Sequence, residues 1–96
     1  MSTYRRIAAV DLAARILEFI ANAKGPVSGQ AVAEGLGVAH GTVMCHLVTL
    51  EDRRFLVRLG GDHFELGTAV ANLWARKKTQ LESAREKIDR ELQSIQ

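Results

Sequence analysis

The feature that most constrains the fold is a pair of short helical patterns that meet at a glycine turn. Ser28 offers an N-cap oxygen, residues 30–34 can form two helical turns, and Gly35 and Gly37 are predicted to stop them. A longer helical pattern then runs from about residue 40 to 54, with apolar side chains spaced four and three apart on one face, at Val43, Leu47 and Leu50. Two helices are therefore joined by a tight turn.

A further helix precedes this pair. Apolar residues recur at three- and four-residue steps between Ile7 and Ala23, which predicts an amphipathic helix. Gly25 and Pro26 end it, because proline cannot continue the hydrogen-bond ladder. Val27 is predicted to add a very short strand.

A hairpin and a long helix follow. Apolar residues alternate over 55–59 and 64–66 around the turn residues 60–62, which predicts two short strands. No glycine or proline occurs from Thr68 to Gln96, which predicts one long helix. The expected fold is mainly α: a winged helix-turn-helix of three helices and a β-hairpin wing over residues 1–67, followed by a long C-terminal helix over 68–96.

Length and composition limit the function. A chain of 96 residues has room for one small domain, and a formal charge of +2 excludes nucleic-acid coating by total charge. The single cysteine, Cys45, cannot form an internal disulfide, and charged residues interrupt the most apolar early stretch, Ile7 to Ala23, so we expect a cytoplasmic protein without a membrane span. No nucleophile–base pair or phosphate loop occurs, so no enzyme is expected.

Soft metal ligands gather near the third helix, but their spacing does not bring three of them together: His40, Met44, Cys45, His46 and His63. We therefore expect no metal and no cofactor. Oxidation sensing by Cys45 remains an alternative to an ordinary small side chain.

The segment "SGQAVAEGLGVAHGTVMCHLVTLEDRRFLVRLGGDHFELG" resembles the N-terminal DNA-binding domain of IclR-family transcriptional regulators. That family has a stretch of the type "S-x-x-E-I-A-x-x-L-G-L-x-x-S-T-x-x-R-L-L-x-T-L-E-x-x-G-F-V" before a hairpin ending in "Y-x-L-G". The resemblance covers roughly residues 7 to 75 and is carried by Ser28, Ala33, Leu36, Gly37, Thr42, Leu47, Thr49, Leu50, Glu51, Phe55, Phe64, Leu66 and Gly67. It does not extend to the family's C-terminal effector domain, so we expect no effector sensing.

The resemblance implies a regulator that binds double-stranded DNA with its third helix in the major groove. The residues offered to the bases would be His40, Gly41, Thr42, Met44, Cys45 and Val48. His40, Gly41 and Cys45 stand where the family usually has a basic residue, a serine and an arginine. The expected base readout is therefore soft.

Phosphate contacts are predicted from basic and polar groups in the N-terminal segment, at the ends of the second and third helices and in the wing: Arg5, Arg6, Ser28, Gln30, Arg53, Arg54, Arg58 and His63. Residues 39–67 carry a net charge of −1. A solvated helix end is the other interpretation of Arg53 and Arg54. A different function is also open: a non-catalytic adaptor that uses the same fold for protein contact, such as the DNA-recognition subunit of a larger complex like phage packaging machinery.

The long helix carries half of a coiled-coil seam. Apolar residues fall at seven-residue intervals and at two of their partner positions, which predicts dimerisation through Ala71, Trp74, Leu81, Ile88, Leu92 and Ile95. Lys78 and Arg85 hold the remaining partner positions and would repel across a parallel in-register dimer. Parallel pairing, antiparallel pairing and packing against the fold all stay open, as does a frayed tail after about Arg85.

Overall fold

A computed structural model describes residues 3–95. Helices and short strands follow one another in the order α1 (Ala8–Asn22), β1 (Val27–Ser28), α2 (Gly29–Leu36), α3 (His40–Asp52), β2 (Leu56–Leu59), β3 (His63–Leu66) and α4 (Thr68–Ile95). The three strands form one antiparallel sheet in the order β1-β3-β2. The predicted mainly α winged helix-turn-helix with a long C-terminal helix is confirmed, whereas the last predicted residue of that helix, Gln96, lies outside the described residues.

The core is formed by apolar side chains from α1, α2, α3 and the hairpin. Its fully or nearly buried members are Ile16, Ile20, Val32, Ala33, Val43, Leu47, Leu56 and Phe64. The apolar stripe predicted for α3 explains this packing, since Val43 and Leu47 are completely covered and Leu50 is half-buried. The long helix α4 contributes no buried residue.

The end of α2 differs from the prediction. Gly35 does not stop the helix but lies within it, and the Phe19 ring occupies the space that a Cβ at this position would need. The helix ends instead at Gly37, whose φ of 67° is the left-handed conformation typical of a glycine cap. Gly35 is therefore needed for the close approach of α1, and Gly37 for the turn.

The end of α3 also differs, since the helix stops at Asp52 and not near Arg54. Arg54 has a φ of 65° and turns the chain toward β2. Its carbonyl oxygen accepts a hydrogen bond of 2.9 Å from the backbone N–H of Ala69, in the first turn of α4. The direction in which α4 leaves the body is thus fixed by the backbone at Arg54.

Beyond its first turn, α4 projects from the rest of the chain. Every residue from 71 to 95 is exposed, and the described molecule measures 61 × 43 × 22 Å. Among the helices of residues 3–95, none is both long enough and apolar enough to cross a membrane.

Candidate nucleic-acid interface

The outward face of α3 is the centre of the candidate site. Four of the six residues predicted to meet the bases are exposed on it: Gly41, Thr42, Cys45 and Val48. His40 is exposed as well, at the first position of the helix, but on the side that faces α2. The opposite face is anchored by Val43 and Leu47, which are completely buried. Because the buried stripe fixes how the helix is rotated, the four residues are presented to solvent together.

Met44, the sixth residue of that set, is placed differently. Its side chain is half-buried and packs on the core, and its Sδ occupies the space beside Gly29 at the start of α2. The reason is its position one turn after His40, on the side of α3 that faces α2. Met44 therefore supports the helix pair as well as bordering the outward face.

The N-termini of α2 and α3 differ in their side-chain capping. Ser28 caps α2 as predicted, since its Oγ accepts a hydrogen bond of 3.1 Å from the N–H of Ala31. Ala39 precedes α3 and offers no side-chain cap. The first backbone N–H of α3 bonded inside the helix is that of Val43, so the N–H groups before it are directed at solvent at the positive end of the helix dipole.

The wing meets the start of α2, which places further predicted residues near α3. Ser28 pairs with His63 in the sheet register, and the N–H of Gly29 donates to the carbonyl of Asp62 at 3.2 Å. Gln30 and His40 line one open groove of about 600 Å³ between α2 and α3. Ser28, Gln30, His40 and His63 thus border one continuous surface.

The arginines predicted for phosphate contact fall in two places. Arg5 and Arg6 are exposed ahead of α1 and line a shallow groove with Val10. Val10 also lines an apolar groove with Cys45 of α3, so Arg5 and Arg6 lie beside the outward face of α3. Arg53 and Arg54 are exposed at the other end of α3, about 20 Å along the helix from His40.

Arg58 of the wing is already engaged by acidic residues. Its guanidinium donates to both carboxylate oxygens of Glu51, at 3.2 and 3.3 Å, and to Asp62 at 3.4 Å. Its central carbon also lies 4.8 Å from the centre of the Phe64 ring. Arg58 therefore ties the wing to α3, and it is less available to phosphate than the other arginines.

Sequence reasoning missed the role of His46. Its Nδ1 lies 2.8 Å from the carbonyl oxygen of Thr42, so this nitrogen carries the proton, while its buried Nε2 has no hydrogen-bond partner among residues 3–95. The signal that could have found it is its place in the family pattern, where a leucine stands. Among residues 3–95, no three histidine, cysteine or acidic side chains are grouped as a metal site.

The three-helix body, the tight turn and the wing define a winged helix-turn-helix domain. Residues 9–60 match the IclR helix-turn-helix domain, and the chain belongs to that family. No curated protein matches the chain.

Solved structures of IclR regulators share the fold. An IclR transcriptional regulator from Alicyclobacillus acidocaldarius is 31% identical, with a TM-score of 0.72 over 76% of this chain and 30% of that one. IclR of Thermotoga maritima is 24% identical, with a TM-score of 0.65 over 71% and 28%. A Brucella abortus IclR-family regulator, 15% identical, gives a TM-score of 0.70 over 84% and 33%. The chain spans about a third or less of the length of these regulators.

Proposed function

We propose that this protein is a cytoplasmic transcriptional regulator that binds double-stranded DNA with α3 in the major groove. The observation that carries the proposal is the match of residues 9–60 to the IclR helix-turn-helix domain, together with the exposed polar face of α3. The uncapped N-terminus of α3 and the adjoining Arg5 and Arg6 would bind phosphates and set the register on the duplex.

Base readout would come from few groups. His40 can donate a hydrogen bond, Thr42 can donate or accept one, and Val48 can contact a thymine methyl group. No lysine or arginine occurs within α3, so the bidentate contact to guanine that is commonest in DNA readout is not offered by this helix. We expect measurable preference among duplexes but a modest ratio of specific to non-specific affinity.

The direct test is fluorescence anisotropy of a labelled duplex titrated with the protein at several salt concentrations. Affinity should fall steeply with salt, because each phosphate contact releases condensed counterions. Replacing both Arg5 and Arg6 by alanine should weaken binding to all duplexes and reduce the slope of log Kd against log salt by about 2.

The matched control replaces two arginines by alanine elsewhere, at Arg76 and Arg90 on the exposed long helix α4. This variant loses the same total charge, so it separates a local phosphate contact from a general charge effect. Equal losses in the two variants would contradict the assigned contact surface. Absence of binding by the unaltered protein at low salt would overturn the proposed function.

The lack of a basic residue in α3 is also the observation that favours the alternative, a protein-interaction adaptor on the same fold. Val48 is 48% exposed and the apolar groove beside Cys45 lies next to it, which together could meet a protein surface. Such an adaptor would show little duplex binding at any salt concentration. The same titration therefore decides between the two functions.

We propose that the regulator acts as a homodimer through α4. The residues predicted for the seam are all exposed, and several are large apolar side chains: Trp74 at 61%, Leu81 at 52%, Ile88 at 56%, Leu92 at 58% and Ile95 at 80%. Exposing an apolar stripe of this length to water is unfavourable, and the matching stripe of a second copy would cover it. Two copies also supply two recognition helices for a pseudo-palindromic site.

A further inference from the structure

We propose that the two α4 helices of the dimer run antiparallel, with Ala71 of one copy opposite Ile95 of the other. This inference rests on the proposed homodimer and adds the orientation and register of its seam. It is carried by the charges within and beside the apolar stripe of α4, since these charges make more contacts of opposite sign in one orientation than in the other.

The heptad assignment follows from the exposed stripe. Position d is held by Trp74, Leu81, Ile88 and Ile95, and position a by Ala71, Lys78, Arg85 and Leu92. The positions that flank the seam hold further charges, with Lys77 and Glu91 at g and Glu82 and Asp89 at e. The seam thus contains two cations that any orientation must accommodate.

A parallel in-register pair places like charges together. Each a residue then meets the same residue of the partner, so Lys78 would face the partner's Lys78 and Arg85 the partner's Arg85. The g residue before each a position lies beside the partner's a residue, which adds the two copies of Lys77 to the lysine layer. The one contact of opposite charges in the parallel pair joins Lys77 to the partner's Glu82.

An antiparallel pair in the proposed register places opposite charges together. Each a residue now faces a d residue, so Lys78 meets the partner's Ile88 and Arg85 meets the partner's Leu81. Beside these layers, Lys78 lies next to the partner's Asp89 and Arg85 next to the partner's Glu82. The g positions pair Lys77 with the partner's Glu91, and Trp74 packs on the partner's Leu92. The e positions bring the two copies of Glu82 together, the one contact of like charges at the flanks of this register, and each of these carboxylates also lies beside the partner's Arg85.

Within the described residues, these charges have no competing ion pair in their own chain. Among residues 3–95, the ion pairs are the two that Arg58 makes with Glu51 and Asp62, and none involves α4. The side chains from residue 71 onward are also exposed, so they are available to a partner helix. The overlap of residues 71–95 is about 36 Å long, and it places the two DNA-binding bodies at opposite ends of the pair.

Charge reversal tests the orientation in the full chain. Sedimentation equilibrium first gives the dimer Kd of the unaltered protein, and Lys77→Glu should raise this Kd about 5- to 20-fold in the antiparallel dimer, where residue 77 meets the partner's Glu91. The Kd of a parallel dimer should change less, because a carboxylate at residue 77 would repel the partner's Glu82 but attract the partner's Lys78. In the antiparallel dimer the added change Glu91→Lys restores the Kd, whereas Glu82→Lys weakens the dimer further. In a parallel dimer Glu82→Lys restores the Kd and Glu91→Lys does not.

Disulfide formation gives an independent reading. In a Cys45→Ser background, Trp74→Cys and Leu92→Cys are made separately and oxidised alone or as an equimolar mixture. The antiparallel dimer should yield a covalent dimer only in the mixture, since residue 74 faces the partner's residue 92. A parallel dimer should yield covalent dimers from each variant alone.

The outcomes separate the two proposals. A protein that sediments as a monomer at all concentrations overturns the homodimer and with it the orientation. A stable dimer that is rescued by Glu82→Lys, or that cross-links within each cysteine variant alone, overturns only the antiparallel arrangement. Rescue by Glu91→Lys together with cross-linking in the mixture supports both.

Discussion

At the scale of single residues, His46 places an imidazole where α3 satisfies only one of its nitrogens. The Nδ1–H donates to the carbonyl oxygen of Thr42, and the buried Nε2 lacks a partner in the described part of the chain. An unsatisfied buried acceptor costs about 1–3 kcal/mol, which is comparable to the gain from a single hydrogen bond. This residue is therefore a weak point in an otherwise apolar contact between α1 and α3.

Replacing His46 by leucine, the residue of the family pattern, should increase the free energy of unfolding by about 1 kcal/mol, because the unsatisfied nitrogen is removed and apolar area is buried. Urea denaturation monitored by circular dichroism measures the change. The exposed His63 provides the control, since His63→Leu should leave stability nearly unchanged. A destabilised His46→Leu variant would contradict the account of Nε2.

Arg54 is the second residue that departs from local preference. Its φ of 65° costs about 1–2 kcal/mol for a residue with a Cβ, and the family pattern has glycine at this position. Arg54→Gly should stabilise the protein by about 0.5–1 kcal/mol after the greater chain entropy of glycine is subtracted. Thermal unfolding checks this, with the neighbouring Arg53→Gly as control. That control should destabilise the protein, because Arg53 has a negative φ of −89°.

At the scale of elements, α3 shows what periodicity can predict. The four- and three-residue spacing identified Val43, Leu47 and Leu50 as the inward face, because a helix fixes which residues share a side. It could not place Met44, which lies at the border of the two faces and is drawn inward by the space above Gly29. The burial of Met44 is set by contacts between elements, which local spacing does not predict.

In the hairpin, too, local pattern predicted the elements but not the contacts between them. Alternation and the glycine turn predicted both strands, but the ion pairs of Arg58 with Glu51 and Asp62 join residues from different elements. Sequence alone therefore assigned Arg58 to phosphate contact without showing its carboxylate partners. The predicted helix stop at Gly35 was wrong for a related reason. This glycine makes room for the Phe19 ring of α1, a contact between elements, and it does not end its own helix.

The burial of α3 can be tested with two neighbouring residues. Leu47 is completely buried, so Leu47→Ala should lower the free energy of unfolding by about 2–5 kcal/mol through lost contacts and the cavity that remains. Val48 lies next to it and is 48% exposed, so Val48→Ala should cost well under half of that. Similar losses at both positions in urea denaturation would show that the helix is rotated differently.

At the scale of the whole molecule, the proposed dimer seam on α4 lies outside the folded core. No residue of α4 belongs to the core, so its seam can be disrupted without loss of the body. Changing both Leu81 and Ile88 to aspartate should give a folded monomer, because charge in the seam opposes association but touches no buried side chain.

Sedimentation measures the mass of this variant, and the sheet and core are checked by circular dichroism and one-dimensional NMR. A matched control places two aspartates elsewhere on α4, at Ser83 and Arg90, which lie opposite the seam. That control should remain dimeric. A Leu81→Asp and Ile88→Asp variant of unchanged mass would remove the seam hypothesis.

The junction between the body and α4 has a mechanical consequence. Gly67 alone separates β3 from α4, and the hydrogen bond from Ala69 to Arg54 closes the joint on its other side. Because both connections are short, we expect α3 and α4 to turn as one rigid piece. If two such copies bind one operator whose half-site spacing does not match the dimer, the DNA has to twist or bend to fit. Easily deformed sequences between the two half-sites would then be favoured.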